Sequence, residues 1–117
     1  MIITNITKGT VLASNSGLAR TMFERMKGLL GRDGLAPGEG LVIMPCTSIH
    51  TIGMRFPIDT VFFDKNRRAI AVIQNMRPGR LSAWHIRAKG VVELPAGALI
   101  GSPVEIGDKL DFSGMAV

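Results

Sequence analysis

The single cysteine, Cys46, lies four residues before His50, one of only two histidines, and Asp59 and Asp64 follow soon after. All four fall within the block Pro45 to Asp64, PCTSIHTIGMRFPIDTVFFD, most of whose other residues are apolar. Polar groups in apolar surroundings are costly unless they are paired or used, so a site is expected here. Histidine is the side chain that changes charge near neutral pH, so His50 is a candidate base, acid or metal ligand. Asp59 lies beyond the Phe56-Pro57 bend, and a reversal of the chain there would let it meet His50. Glu93 stands in the apolar run Val91-Val-Glu-Leu94. A buried carboxylate needs a cationic or hydrogen-bonding partner, and Arg55 and His50 are the natural choices.

Two functional readings follow. In the first, His50, Arg55, Asp59 and Glu93 form a polar pocket for a small anionic ligand, in a binding or accessory domain. In the second, His50 works as acid or base against Asp59 or Glu93 in a small hydrolase, which requires a water or substrate atom within hydrogen-bond reach. The competing structural reading is a polar network that sets strand register.

Cys46 with His50 has the makings of a reactive thiolate or of two zinc ligands. A structural zinc site wants about four ligands, and the spacing matches no zinc motif. Cys46 and His50 are therefore weak metal candidates, and neither a metal nor a cofactor is expected. A lone cysteine after an apolar strand reads more simply as a small buried hydrophobe. Met44 and Met54 flank the same block. Thioethers bind copper(I), but methionine is also an ordinary core filler, and that reading is preferred.

Net charge is +5, and the excess is uneven. Lys65, Arg67, Arg68, Arg77, Arg80, Arg87 and Lys89 fall in one stretch without an acid. Such a run attracts phosphate or an anionic surface. Trp84 lies within it, and tryptophan beside arginine can stack on a base. Arg67, Arg68, Arg80, Trp84, Arg87 and Lys89 are thus the candidate nucleic-acid face. Against this stand an aromatic content of 5% and the absence of tyrosine and of any RNA-binding signature. The simpler reading is a set of solvated turns, or a protein contact marked by an exposed tryptophan. Gly28-Leu-Leu-Gly-Arg32 lacks the lysine–serine/threonine pair of a phosphate loop. No serine nucleophile elbow is present.

These residues need elements to position them. Met1 to Ile6 and Thr10 to Ala13 read as a hairpin, and Asn15-Ser16-Gly17 reads as a turn. Thr21 and Glu24 fit a capping box for a helix to about Leu30, with Met22, Met26, Leu29 and Leu30 on one stripe and Gly31 as its stop. Leu41 to Met44, Ser48 to Gly53, Asp59 to Phe63, Ala69 to Gln74 and Val91 to Leu94 read as strands. Pro95 fits the first turn of a short helix over Ala96 to Ile100, and a last strand follows the Ile106-Gly-Asp108 turn. The expectation is a single domain over residues 1–117, mostly β within the α+β class, small and barrel-like, with one or two short helices.

The chain is long enough to fold without staples. One cysteine excludes an internal disulfide. No basic segment followed by an apolar core opens the sequence, and no run approaches the ~20 apolar residues needed to span a bilayer. A cytoplasmic location is expected.

The order of segments resembles the domain of unknown function 192 family. The resemblance rests on Glu24-Arg-Met-Lys-Gly-Leu-Leu-Gly-Arg32, Gly40-Leu-Val-Ile43, His50-Thr-Ile-Gly-Met-Arg-Phe-Pro-Ile-Asp59, Val61-Phe-Phe-Asp64, Val92-Glu-Leu-Pro-Ala-Gly97 and Ile106-Gly-Asp108. It covers nearly the whole chain. The family usually carries an aromatic-rich central block, with tryptophan before the methionine and lysine-asparagine after it, where this chain has Ile52-Gly-Met-Arg-Phe-Pro57. The resemblance implies a compact β-rich fold and no particular activity.

Overall fold

The computed structural model describes residues 1–114. Two sheets carry the fold. A three-stranded antiparallel sheet has the order β2-β1-β8, with β1 at Ile2–Asn5, β2 at Thr10–Ala13 and β8 at Leu110–Ser113. A five-stranded mixed sheet has the order β3-β4-β7-β5-β6. Its strands are β3 (Asn15–Ala19), β4 (Glu39–Ile43), β5 (Ile58–Phe63), β6 (Ala69–Met76) and β7 (Gly90–Pro95). Two short helices complete the described chain, α1 at Met22–Lys27 and α2 at Ala98–Gly101.

The mostly β, α+β expectation holds. The sheets do not close into a barrel: they face each other across one core, and β2, β8, β3 and β6 remain edges. That core joins Ile3, Leu12, Leu110 and Phe112 of the small sheet to Val42, Val61, Phe63, Val92 and Leu94 of the large one. The Phe63 and Phe112 rings meet at 4.9 Å in a tilted pair, a geometry that favours their quadrupoles. A second core, with Ile43, Ile49, Met54, Ile58, Phe62 and Val91, lies on the other face of the large sheet. Covered on both faces, β5 is buried along its whole length, which explains its unbroken apolar run. Gly90 is required where β7 begins, because a Cβ there would sit 2.7 Å from the Ile43 carbonyl oxygen and from the Phe63 ring.

Several expectations are corrected. Asn15-Ser16-Gly17 is no turn: it lies in β3 and pairs in parallel with Glu39-Gly40-Leu41 of β4, so tertiary pairing overrides turn propensity. Helix α1 ends at Gly28, with φ 46°, instead of reaching Leu30. Its Met22 and Met26 are 69% and 70% exposed, and none of its residues is buried. Ser48 to Gly53 forms no strand and makes one isolated bridge, His50 to Leu81. Pro95 ends β7, and the N-cap of α2 is Gly97, held at φ 94° where glycine is at ease.

Candidate functional site

Glu93 occupies the middle of β7, the central strand of the large sheet. It pairs with Leu41 of β4 on one side and Thr60 of β5 on the other. By the two-residue period of strands it shares a face with Val91, which belongs to the second core. The residue is 3% exposed. Among the described residues its carboxylate meets neither a hydrogen-bond donor nor a cation, and burial alone pushes the group up to about 7. The neighbouring Thr60 hydroxyl is buried and has no partner among the described residues.

The carboxylate borders a cleft of about 370 Å³, a size suited to a small ligand. Helix α1 and the turn after it form one wall. The other is the segment from Pro45 to His50. A complete capping box holds the start of α1: Thr21 Oγ1 accepts from the Glu24 amide at 3.1 Å, and Glu24 Oε1 accepts from the Thr21 amide at 3.0 Å. The Thr21 and Arg20 amides keep the Glu24 carboxyl below its ordinary value. Arg25 Nη1 donates to the Pro45 carbonyl at 2.9 Å and ties the two walls together. Arg25 Nε is buried beside the cleft and has no acceptor among the described residues. Met22, Met26, Leu29 and Met54 supply apolar lining.

The four residues expected to form one pocket separate into three places. His50 and Glu93 both line the cleft. Arg55 is exposed and pairs with Asp33 at 2.7 Å. Asp59 lies on the opposite face of the sheet from Glu93. Its partner across the β5–β7 ladder is Leu94, whereas that of Glu93 is Thr60, and this offset of one residue sends the two carboxylates to opposite sides. There Asp59 Oδ1 accepts from the Asn75 amide at 2.8 Å, and Oδ2 accepts from the Gly97 and Leu99 amides, each at 3.0 Å. It therefore caps α2 from another strand and clasps the irregular step between β5 and β6.

Cys46 also lines the cleft, and its thiol donates to the Ser48 carbonyl at 3.0 Å. Burial pushes this thiol up, which disfavours the thiolate needed for nucleophilic or zinc chemistry. Among the described residues no three His, Cys, Asp or Glu side chains gather as a metal site. The basic stretch is divided. Arg67 and Arg68 lie at the β5–β6 turn, with Arg67 over the Phe112 ring. Arg77 and Arg80 lie past the far end of the eight-residue β6, about 26 Å of strand away. Arg80, Trp84, Arg87 and Lys89 lie on the following loop, all exposed. Sequence reasoning missed Arg25, Met22 and Met26 as cleft residues. The four-residue spacing of Met22 and Met26 was visible, but it reads as a core stripe.

No helix of the described chain is long and apolar enough to cross a membrane. The sequence is 31% identical over 119 residues to an uncharacterised UPF0127 protein of Thermococcus sibiricus, covering 95% of this chain and 74% of that protein. A UPF0127 protein of Pyrococcus furiosus is 29% identical, with 95% and 97% covered. The fold matches a protein of unknown function from Novosphingobium aromaticivorans with a TM-score of 0.81 at 25% identity, covering 95% of this chain and 82% of that one. It also matches a putative transcription regulator from Sinorhizobium meliloti, with a TM-score of 0.82 at 21% identity and coverage of 97% and 92%. The family model DUF192, described as Uncharacterized ACR, matches residues 3–112, and the chain belongs to that family.

Proposed function

We propose that this protein is a small-molecule-binding domain whose cleft takes a compact, largely apolar ligand with a hydrogen-bond-donating head directed at Glu93. The observation that carries this reading is the carboxylate of a 3% exposed residue, with no partner among the described residues, at the edge of a cleft of about 370 Å³. Leaving such a group unsatisfied costs free energy that a ligand donor would offset. The anionic ligand expected from sequence rested partly on Arg55, whose guanidinium instead faces Asp33. At the Glu93 end of the cleft a cationic or neutral donor head is favoured over a carboxylate.

The test uses matched probes. Benzylamine and butylamine are compared with benzoate and butyrate by thermal shift at pH 7.5, on the wild type and on Glu93→Gln. Stabilisation by the amines alone, lost in the variant, is the expected result. Equal response to both classes, or amine binding unchanged by the substitution, would sink the proposal.

A second reading draws on the same carboxyl. A group near 7 exchanges protons readily at neutral pH, and His50 lines the same cleft. Acid–base catalysis predicts hydrolysis of p-nitrophenyl esters that falls in both Glu93→Gln and His50→Ala. A rate equal to buffer for the wild type removes it for that substrate class.

A further inference from the structure

We infer that the loop from Arg77 to Lys89 is a docking surface for an anionic lipid bilayer, independent of the Glu93 cleft reading. Within six residues it presents Leu81, Trp84 and Ile86 at 74%, 79% and 80% exposure. The Cα atoms of such a short window fall within about 18 Å of one another, and exposed apolar groups brought together mark an interaction site. Ile52, 54% exposed, follows Thr51, whose backbone bonds both Gly79 and Arg80.

The exposure is built into an anchored backbone. The Thr51 amide donates to the Arg80 carbonyl at 2.9 Å, the Ser82 amide to Ile49 at 2.9 Å, and the His85 amide to Thr47 at 2.8 Å. The His85 ring packs on Phe62 with centroids 4.5 Å apart, and Ala88 is buried. The loop is held to the domain while its large apolar side chains point outward.

Charge selects the occupant. Arg77 and Arg80 precede the apolar window, Arg87 and Lys89 follow it, all four are exposed, and no acid occurs from Lys65 to Lys89. Aliphatic side chains and a tryptophan between cations fit the boundary of a bilayer, where the apolar groups enter the acyl edge and the cations meet anionic headgroups. A nucleic acid fits less well. Base stacking needs aromatic faces, Leu81 and Ile86 have none, and His85 is already packed on Phe62.

Trp84 is the only tryptophan, so its fluorescence reports directly on the loop. The protein is mixed with vesicles of phosphatidylglycerol and phosphatidylcholine, and separately with phosphatidylcholine alone. The expected result is a blue shift and co-sedimentation with the anionic vesicles only, weakening as salt rises. Leu81→Ser/Ile86→Ser, whose side chains are 74% and 80% exposed, lowers the partition by about tenfold or more while keeping the circular dichroism of the wild type. No shift with anionic vesicles, or equal binding to neutral ones, overturns the inference. So does a Trp84 response to oligouridine without a response to vesicles, or a protein dimer abolished by the same double substitution.

Discussion

Asp59 and Glu93 sit on neighbouring strands of one sheet and are almost equally buried, at 1% and 3% exposure. Their surroundings are opposite. Asp59 accepts three backbone amides from β6 and the α2 turn. Glu93, on the other face, meets no donor among the described residues and stands at about 7. The comparison teaches that burial of a carboxylate does not by itself mark a site. A satisfied carboxylate holds parts of the fold together, and an unsatisfied one beside a cleft is available to something from outside.

The largest effect expected from breaking this contrast is at Asp59. Asp59→Ala leaves three amides without an acceptor and lowers stability by about 4 kcal/mol, close to the whole margin of a small domain. Urea denaturation measures it, and a loss below about 1 kcal/mol would show that the three bonds do not clasp the fold. Next comes Glu93→Gln, which acts in the other direction. The folded carboxyl stands near 7 against an ordinary 4.5, so between these values the folded state holds the extra proton. Stability therefore falls as pH rises from about 4.5 through 7, by up to about 3 kcal/mol. The variant, which keeps a buried amide, is expected to exceed wild type by about 2 kcal/mol at pH 8, with the gap closing by pH 5. Melting curves at the two pH values decide, and a constant gap would contradict the shift.

Asp108 sharpens the contrast on the small sheet. Burial would raise this carboxyl, yet the Glu105 amide, the Lys8 ammonium and the Asn5 amide together hold it at about 2. Its contribution is present above the ordinary value of 3.8 and fades as pH falls toward 2, the reverse of Glu93. Asp108→Asn is expected to lose about 1.5 kcal/mol at pH 7, and the loss should shrink in acid titration of the two proteins. The smallest effect is at Thr21. Thr21→Ala removes a capping bond from α1, worth about 1 kcal/mol locally. With no α1 residue buried, the change should show as faster amide exchange over Met22 to Gly28 with little shift in melting temperature. A large global shift would mean that α1 supports the core.

Much of the fold was legible in sequence because local patterns carried it. The capping box at Thr21 and Glu24 has the bonds expected of it. The Asp64 to Arg68 turn joins β5 to β6, and the acid within Val91-Val-Glu-Leu94 lies in a buried strand. Other features were not legible. Asn15-Ser16-Gly17 carries turn residues, yet parallel pairing with β4 makes it a strand. Met22 and Met26 repeat at core spacing, yet face a cleft because α1 is too short and peripheral to bury them. The candidate site was legible in part. Glu93 and His50 could be named from their types and neighbours, but their separation from Asp59 and Arg55 could not.

The sequence by itself determined the strands with an unbroken apolar run, β4, β5 and β7, where α1 is capped, and that a carboxylate would be buried at position 93, since these depend on neighbours a few residues away. Only the tertiary structure decided which face each carboxylate takes and what meets it there. In an antiparallel ladder that choice turns on a register of one residue, and here Leu94 opposite Asp59 and Thr60 opposite Glu93 set it.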